Sequence, residues 1–187
     1  MSTVLTSLMC LLHDEEKFAE ANQTLSENIW DDRFCVNQNE YYYVKDFLYD
    51  ANAKISEWQL FAVVRNPLER FLSAFVHLCV NDNHNCFYCN SSFSCLIERA
   101  YYQAYGFAEG KDIVRLHVDG HFFPQNWQCQ FSEYFGNYKI IHYKSSASQD
   151  FDKMVSQIVE ILKSRQSIPK KTIKSIRKQL LEKHLTS

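Results

Sequence analysis

The chain has 187 residues, of which 46% are hydrophobic, 15% aromatic and only seven glycine or proline, with a formal net charge of −2. Ordinary proteins carry about 12% glycine plus proline, so a disordered, collagen-like or linker-rich chain is excluded, and a chain of this length suits one domain burying about 70% of its unfolded surface. The glycines, Gly106, Gly110, Gly120 and Gly136, stand too late or in the wrong context for a glycine-rich phosphate loop or a dinucleotide fingerprint.

In chain order, the first expected element is an amphipathic helix from Ser2 to Asn22. Its apolar run, Val4 to Leu12, is interrupted by Thr6 and Ser7 and is far short of the roughly 20 residues that cross a membrane. It also lacks the basic start and small-residue cleavage site of a signal peptide. Glu40 to Ala53 reads as a second helix, with Tyr42, Val44, Phe47 and Leu48 on its apolar side. The run Trp58 to Val64 has the character of a buried, parallel strand. It ends at Arg65-Asn66-Pro67, and Pro67 is placed to open a helix over Leu68 to Val80. A helix from Phe93 to Tyr105, a strand from Tyr138 to Tyr143 and a helix from Phe151 to Lys163 follow. The expected class is α/β, helix-rich, with a small parallel sheet flanked by helices.

The tail differs in charge from the body. Residues 1–162 hold twelve Lys and Arg against twenty-one Asp and Glu, whereas 163–187 hold eight against one. Ile173, Ile176, Leu180 and Leu181 recur at helical spacing after Pro169, giving a basic C-terminal helix. Its cationic side is either a solvated face balancing an acidic body or a surface for an anionic ligand. Nucleic acid is not an expected partner.

The strand-to-helix junction carries the most chemistry. Arg65 stands where the carboxyl end of a strand meets a helix start, which is where open α/β sheets bind ligands, and Ser73 follows two helical turns later. A guanidinium and a hydroxyl so placed suit a phosphate; alone, Arg65 suits an ion pair equally well.

The run Val63-Val64-Arg65-Asn66-Pro67-Leu68-Glu69-Arg70-Phe71-Leu72-Ser73-Ala74-Phe75 resembles the 3′-phosphate-binding motif of the Golgi carbohydrate sulfotransferases. These enzymes use 3′-phosphoadenosine-5′-phosphosulfate (PAPS), and their pattern is Arg-Asp-Pro, two residues, Arg, two residues, Ser, then an aromatic residue. A second block, Asp119-Gly120-His121-Phe122-Phe123-Pro124-Gln125 followed by Cys129, is similar to a segment of the chondroitin 4-sulfotransferase-like branch. The resemblance implies a P-loop-NTPase-like sulfotransferase fold over 1–187. It assigns Arg65 and Ser73 to the 3′-phosphate, with Asn66 replacing the usual aspartate. Met1-Ser2-Thr3-Val4-Leu5-Thr6-Ser7 resembles the end of the family's 5′-phosphosulfate loop, so Ser2 and Thr3 would serve the 5′-phosphate at a positive helix end; read alone, they are helix-capping residues.

The family's loop lysine and first strand would lie before Met1, which leads to the expectation of an N-terminally truncated or degenerate member with weak or no activity. Sulfuryl transfer is an in-line attack by a sugar hydroxyl on sulfur, and its catalysis is expected to rest on positioning and on cations near the leaving oxygen. A histidine suits the acceptor's proton; His121 is the first candidate and His77 the second. The implied acceptor is a glycosaminoglycan such as chondroitin or its proteoglycan. The implied location is the Golgi lumen, as part of a type II membrane protein held by an upstream anchor, and no metal is expected.

Cys79, Cys86, Cys89 and Cys95 fall within 17 residues beside His77 and His84. They can form two disulfides in any of three pairings, remain free, or hold zinc in a small binding module centred on 77–95. The sequons Asn22-Gln23-Thr24 and Asn90-Ser91-Ser92 fit a secretory route. An impaired sulfotransferase-like protein is the other alternative.

Overall fold

The computed structural model describes residues 2–25, 33–38, 40–82, 84–111, 118–144, 148–165 and 167–186, and for Ser2, Ser148 and 183–186 the backbone alone. The chain divides into two compact units, 1–61 with 141–187, and 62–140.

In the first unit, α1 (Ser2–His13) buries Val4, Ser7, Leu8 and Leu11, one stripe at helical spacing. The expected helix to Asn22 is broken at Asp14, whose extended backbone and side chain cap α2 (Glu15–Glu20), Asp14 Oδ1 accepting the Lys17 N–H at 3.0 Å. Aspartate ends a helix here because its carboxylate satisfies an amide that the next helix leaves open. The second helix is shorter than expected, α3 covering Val44–Asp50. Trp58 stays outside the strand and packs edge-on against Phe47, 4.5 Å between centroids. Near the carboxyl end, α7 (Ser148–Lys163) packs on α8 (Lys170–Thr186), burying Met154, Val155 and Ile158 on one and Ile173, Ile176 and Leu180 on the other. Thr172 Oγ1 donates to Glu15 Oε2 at 2.7 Å, and Gln179 Oε1 accepts the Leu25 N–H at 3.0 Å. Lys170, Lys171, Lys174, Arg177 and Lys178 are exposed, so the basic face expected from the sequence is presented to solvent. Cys10 and Cys35, both buried, form a disulfide within this unit.

β1 (Leu60–Arg65) and β2 (Tyr138–Tyr143) form a parallel two-stranded sheet. Every residue of β1 is half-buried rather than buried, as suits a strand with one sheet partner. In the second unit, α4 (Pro67–Ala74) continues into a π-helical turn, Phe75–Asn81, and α5 (Phe93–Ala108) ends where Gly110 takes a left-handed φ of +72°. The core gathers Leu78, Leu96, Phe87, Phe122 and Phe123, with Phe71 edge-on to Phe122 at 5.0 Å.

The four clustered cysteines pair as Cys79–Cys86 and Cys89–Cys95. The zinc module is therefore corrected: sulfurs joined to one another have no thiolate to offer a metal. Phe87 and Tyr88 take left-handed φ values of 53° and 64° to turn the chain between the two bridges. Among the described residues no cluster of three or more metal-ligating side chains occurs.

Candidate functional site

The junction forms from local sequence. β1 carries the chain to Arg65, Pro67 supplies a preset φ at the first helical position, and Asn66 caps α4. Asn66 Oδ1 accepts the N–H groups of Leu68 (3.0 Å) and Glu69 (3.2 Å). Asparagine thus performs the capping that an aspartate would perform, without its charge. Because those amides are already engaged, an anion at this helix start meets side chains rather than free backbone donors.

Two side chains from the expected set are carried by this segment. Arg65 Nε donates to Glu69 Oε2 at 3.2 Å, an ion pair one helical turn apart, with Arg65 at 23% and Glu69 at 41% side-chain exposure. The carboxylate holds the fork beside the helix start. Ser73 lies exposed on α4. His77 follows on the π-helical turn, exposed, its Nδ1 2.9 Å from the Asp82 carboxylate.

The second block docks on the first. α6 (Asp119–Phe122) lies against α4, with Asp119 fully buried and His121 half-buried. Arg70 extends from α4 into a ring of main-chain carbonyls: Nη1 donates to His121 O at 2.7 Å and Gly120 O at 3.4 Å, and Nη2 to Phe122 O at 3.3 Å and to Phe123 O. These are carbonyls that a short helix leaves without intrahelical partners. Burial lowers the pKa of this guanidinium from its ordinary value. Gln125 reaches the strand, its Oε1 accepting the Arg65 N–H at 3.4 Å and its Nε2 donating to Val63 O at 3.3 Å. Gln128 Nε2 donates to Gly120 O at 2.8 Å.

The second unit therefore assembles Arg65, Ser73, His77 and the His121 segment along one strand–helix unit and its docked block. Thr3 is half-buried in the first turn of α1, in the other unit; the Ser2 side chain lies outside the described residues. Sequence reasoning missed Arg70 and Gln125 as organising residues, although both stand inside the motif blocks. Their partners lie 50 to 53 and 60 to 62 positions away, beyond any local periodicity.

The sequence model of the sulfotransferase family matches residues 1–187. The chain belongs to the sulfotransferase family. Curated relatives agree: a putative sulfotransferase, vep-2, of Caenorhabditis elegans is 32% identical over 190 residues, covering 98% of this chain and 58% of the relative. A carbohydrate sulfotransferase, chst-1, of the same organism is 27% identical over 189 residues, covering 97% of this chain and 56% of the relative. This sulfotransferase-family chain thus spans a little over half the length of the curated relatives it matches. No solved structure matches it.

Proposed function

We propose that this chain is a sulfotransferase-like domain, 1–187, that transfers a sulfuryl group from PAPS to a hydroxyl of a carbohydrate, with a glycosaminoglycan such as chondroitin as the acceptor class. The observation that carries the reading is the Asn66-capped start of α4, which has Arg65 at the strand end before it and Ser73 on its second turn. The donor set fits a phosphate: Arg65 offers a planar charged fork and Ser73 a hydroxyl, and the capped amides leave recognition to these side chains. Arg65 moves from the Glu69 carboxylate toward the 3′-phosphate, exchanging one charge-assisted partner for another. Ser2 and Thr3, at the start of α1, are assigned to the 5′-phosphate.

PAPS supplies an activated sulfuryl group. The acceptor hydroxyl oxygen bonds to sulfur as the bond from sulfur to the nucleotide's phosphate oxygen breaks, and the hydroxyl proton goes to a base. His121 is assigned that proton, with His77 the second candidate, because an imidazole accepts a proton near neutral pH. The three disulfides and the exposed sequon asparagines Asn22 and Asn90 support a lumenal, Golgi setting. The chondroitin-type acceptor rests on the second block, Asp119 to Gln125, and a carbohydrate acceptor is supported by the chst-1 relative.

The test is calorimetric binding of 3′-phosphoadenosine-5′-phosphate. Charge-assisted hydrogen bonds contribute about 1.5–3 kcal/mol each, so Arg65→Ala is expected to weaken binding roughly 10- to 150-fold. Undiminished affinity in that variant would remove Arg65 from the site. Transfer of radiolabelled sulfate to desulfated chondroitin then tests turnover.

A further inference from the structure

The motif contains two arginines, and the structure uses them differently. Arg65 faces a side-chain carboxylate, a partner that a phosphate can replace. Arg70 faces four consecutive main-chain carbonyls, Gly120 to Phe123. Carbonyls belonging to a packed turn cannot leave in exchange for a ligand. One planar fork matches a set of oxygens whose directions are fixed by the backbone, whereas a lysine, with a single compact ammonium, matches fewer.

We propose that Arg70 is a positioning residue: it clamps the turn that carries His121 onto α4, and Gln125 registers the same block against the strand end that carries Arg65. The second half rests on the hydrogen bonds of the Gln125 amide to both the Arg65 N–H and Val63 O, which let one side chain imitate a paired strand residue. The clamp is thus the means by which the two motif blocks hold the assigned base and the phosphate arm in one arrangement. Its functional meaning rests on the roles given to His121 and Arg65 above.

The roles predict separable signatures in the full chain. Arg70→Met is expected to speed amide hydrogen exchange about tenfold or more over residues 119–125, as hydrogen bonds to a charged group are lost, while exchange in α5 stays unchanged. Binding of 3′-phosphoadenosine-5′-phosphate is expected to stay within about twofold of the unsubstituted chain, because the Arg70 guanidinium is committed to the main-chain carbonyls of Gly120 to Phe123. Arg70→Lys is expected to restore part of the protection. In sulfate transfer Arg70→Met is expected to lower kcat and leave the KM for PAPS unchanged.

Gln125 is exposed, so Gln125→Met keeps the test available where Arg70→Met fails to fold. It is expected to speed exchange at the Arg65 amide and over 119–125. The proposal is overturned if Arg70→Met weakens nucleotide binding as Arg65→Ala does while exchange over 119–125 is unchanged, which would make Arg70 a phosphate ligand. It is overturned equally if exchange rises throughout both units, or if transfer shows a raised KM with kcat retained. Absence of nucleotide binding by the unsubstituted chain would sink the cofactor reading alone, and the exchange measurement still decides the clamp.

Discussion

The three disulfides differ mainly in the loops they close, and that difference yields a ranked stability prediction. Cys10–Cys35 spans 25 positions, Cys79–Cys86 spans 7 and Cys89–Cys95 spans 6. A cross-link stabilises chiefly by removing conformations from the unfolded chain. The loop-closure relation gives about 3.5 kcal/mol for the long loop, about 2.4 for the second and about 2.2 for the third. All of these sulfurs except that of Cys95 belong to buried residues, so converting each pair to alanine removes similar packing, and loop length sets the order. The assay is guanidinium unfolding of the three double-alanine variants, followed by far-UV circular dichroism without reductant. Cys10→Ala/Cys35→Ala is expected to lose the most stability, by roughly 1 kcal/mol more than either other pair. Equal losses for all three, or a larger loss from one of the short loops, would refute the chain-entropy argument.

Two further outcomes are expected. Asn66→Ala removes the acceptor that caps α4 and is expected to cost about 1 kcal/mol in urea unfolding, whereas Asn66→Asp keeps the cap and adds a charge favourable to the helix dipole; a stability loss from Asn66→Asp equal to that from Asn66→Ala would contradict this. The Tyr138 hydroxyl pKa is pushed up to about 12, first by burial and then by the charge that the nearby Cys129 sulfur carries when deprotonated. A raised pKa means that the folded chain holds this proton more tightly than the unfolded chain. The contribution is therefore fully present below about pH 10 and lost as pH climbs toward about 12. Stability measured across that window should fall less steeply in Tyr138→Phe, and an unchanged slope would count against the assignment.

Local features were legible wherever neighbouring residues generate the signal. The strand before Arg65, Pro67 at the first position of α4 and the apolar stripe of α8 all follow from short-range pattern. The break of the first helix at Asp14 is also locally encoded, in one capping residue set within an apolar periodicity that runs on past it. α3 ends at a local stop, where Asn52 takes a left-handed φ of 46° and the Ala53 N–H donates back to Leu48 O, whereas Trp58 lies outside β1 in a contact that strand periodicity does not show, edge-on against Phe47.

The sequence by itself determined that the chain is helix-rich α/β, that Arg65 and Ser73 stand on one strand–turn–helix segment, and that no glycine loop is available for phosphate. These follow from composition and from residues within two helical turns of one another. Only the tertiary structure decided which cysteines pair, since four clustered cysteines allow three pairings and the partner of Cys10 lies 25 positions away. It also separated the two motif arginines. One guanidinium, at the strand end, faces a carboxylate four residues on at the start of α4, and the other faces carbonyls some fifty residues distant. A spacing pattern gives both the same side chain; the oxygens that the fold brings to each give them different work.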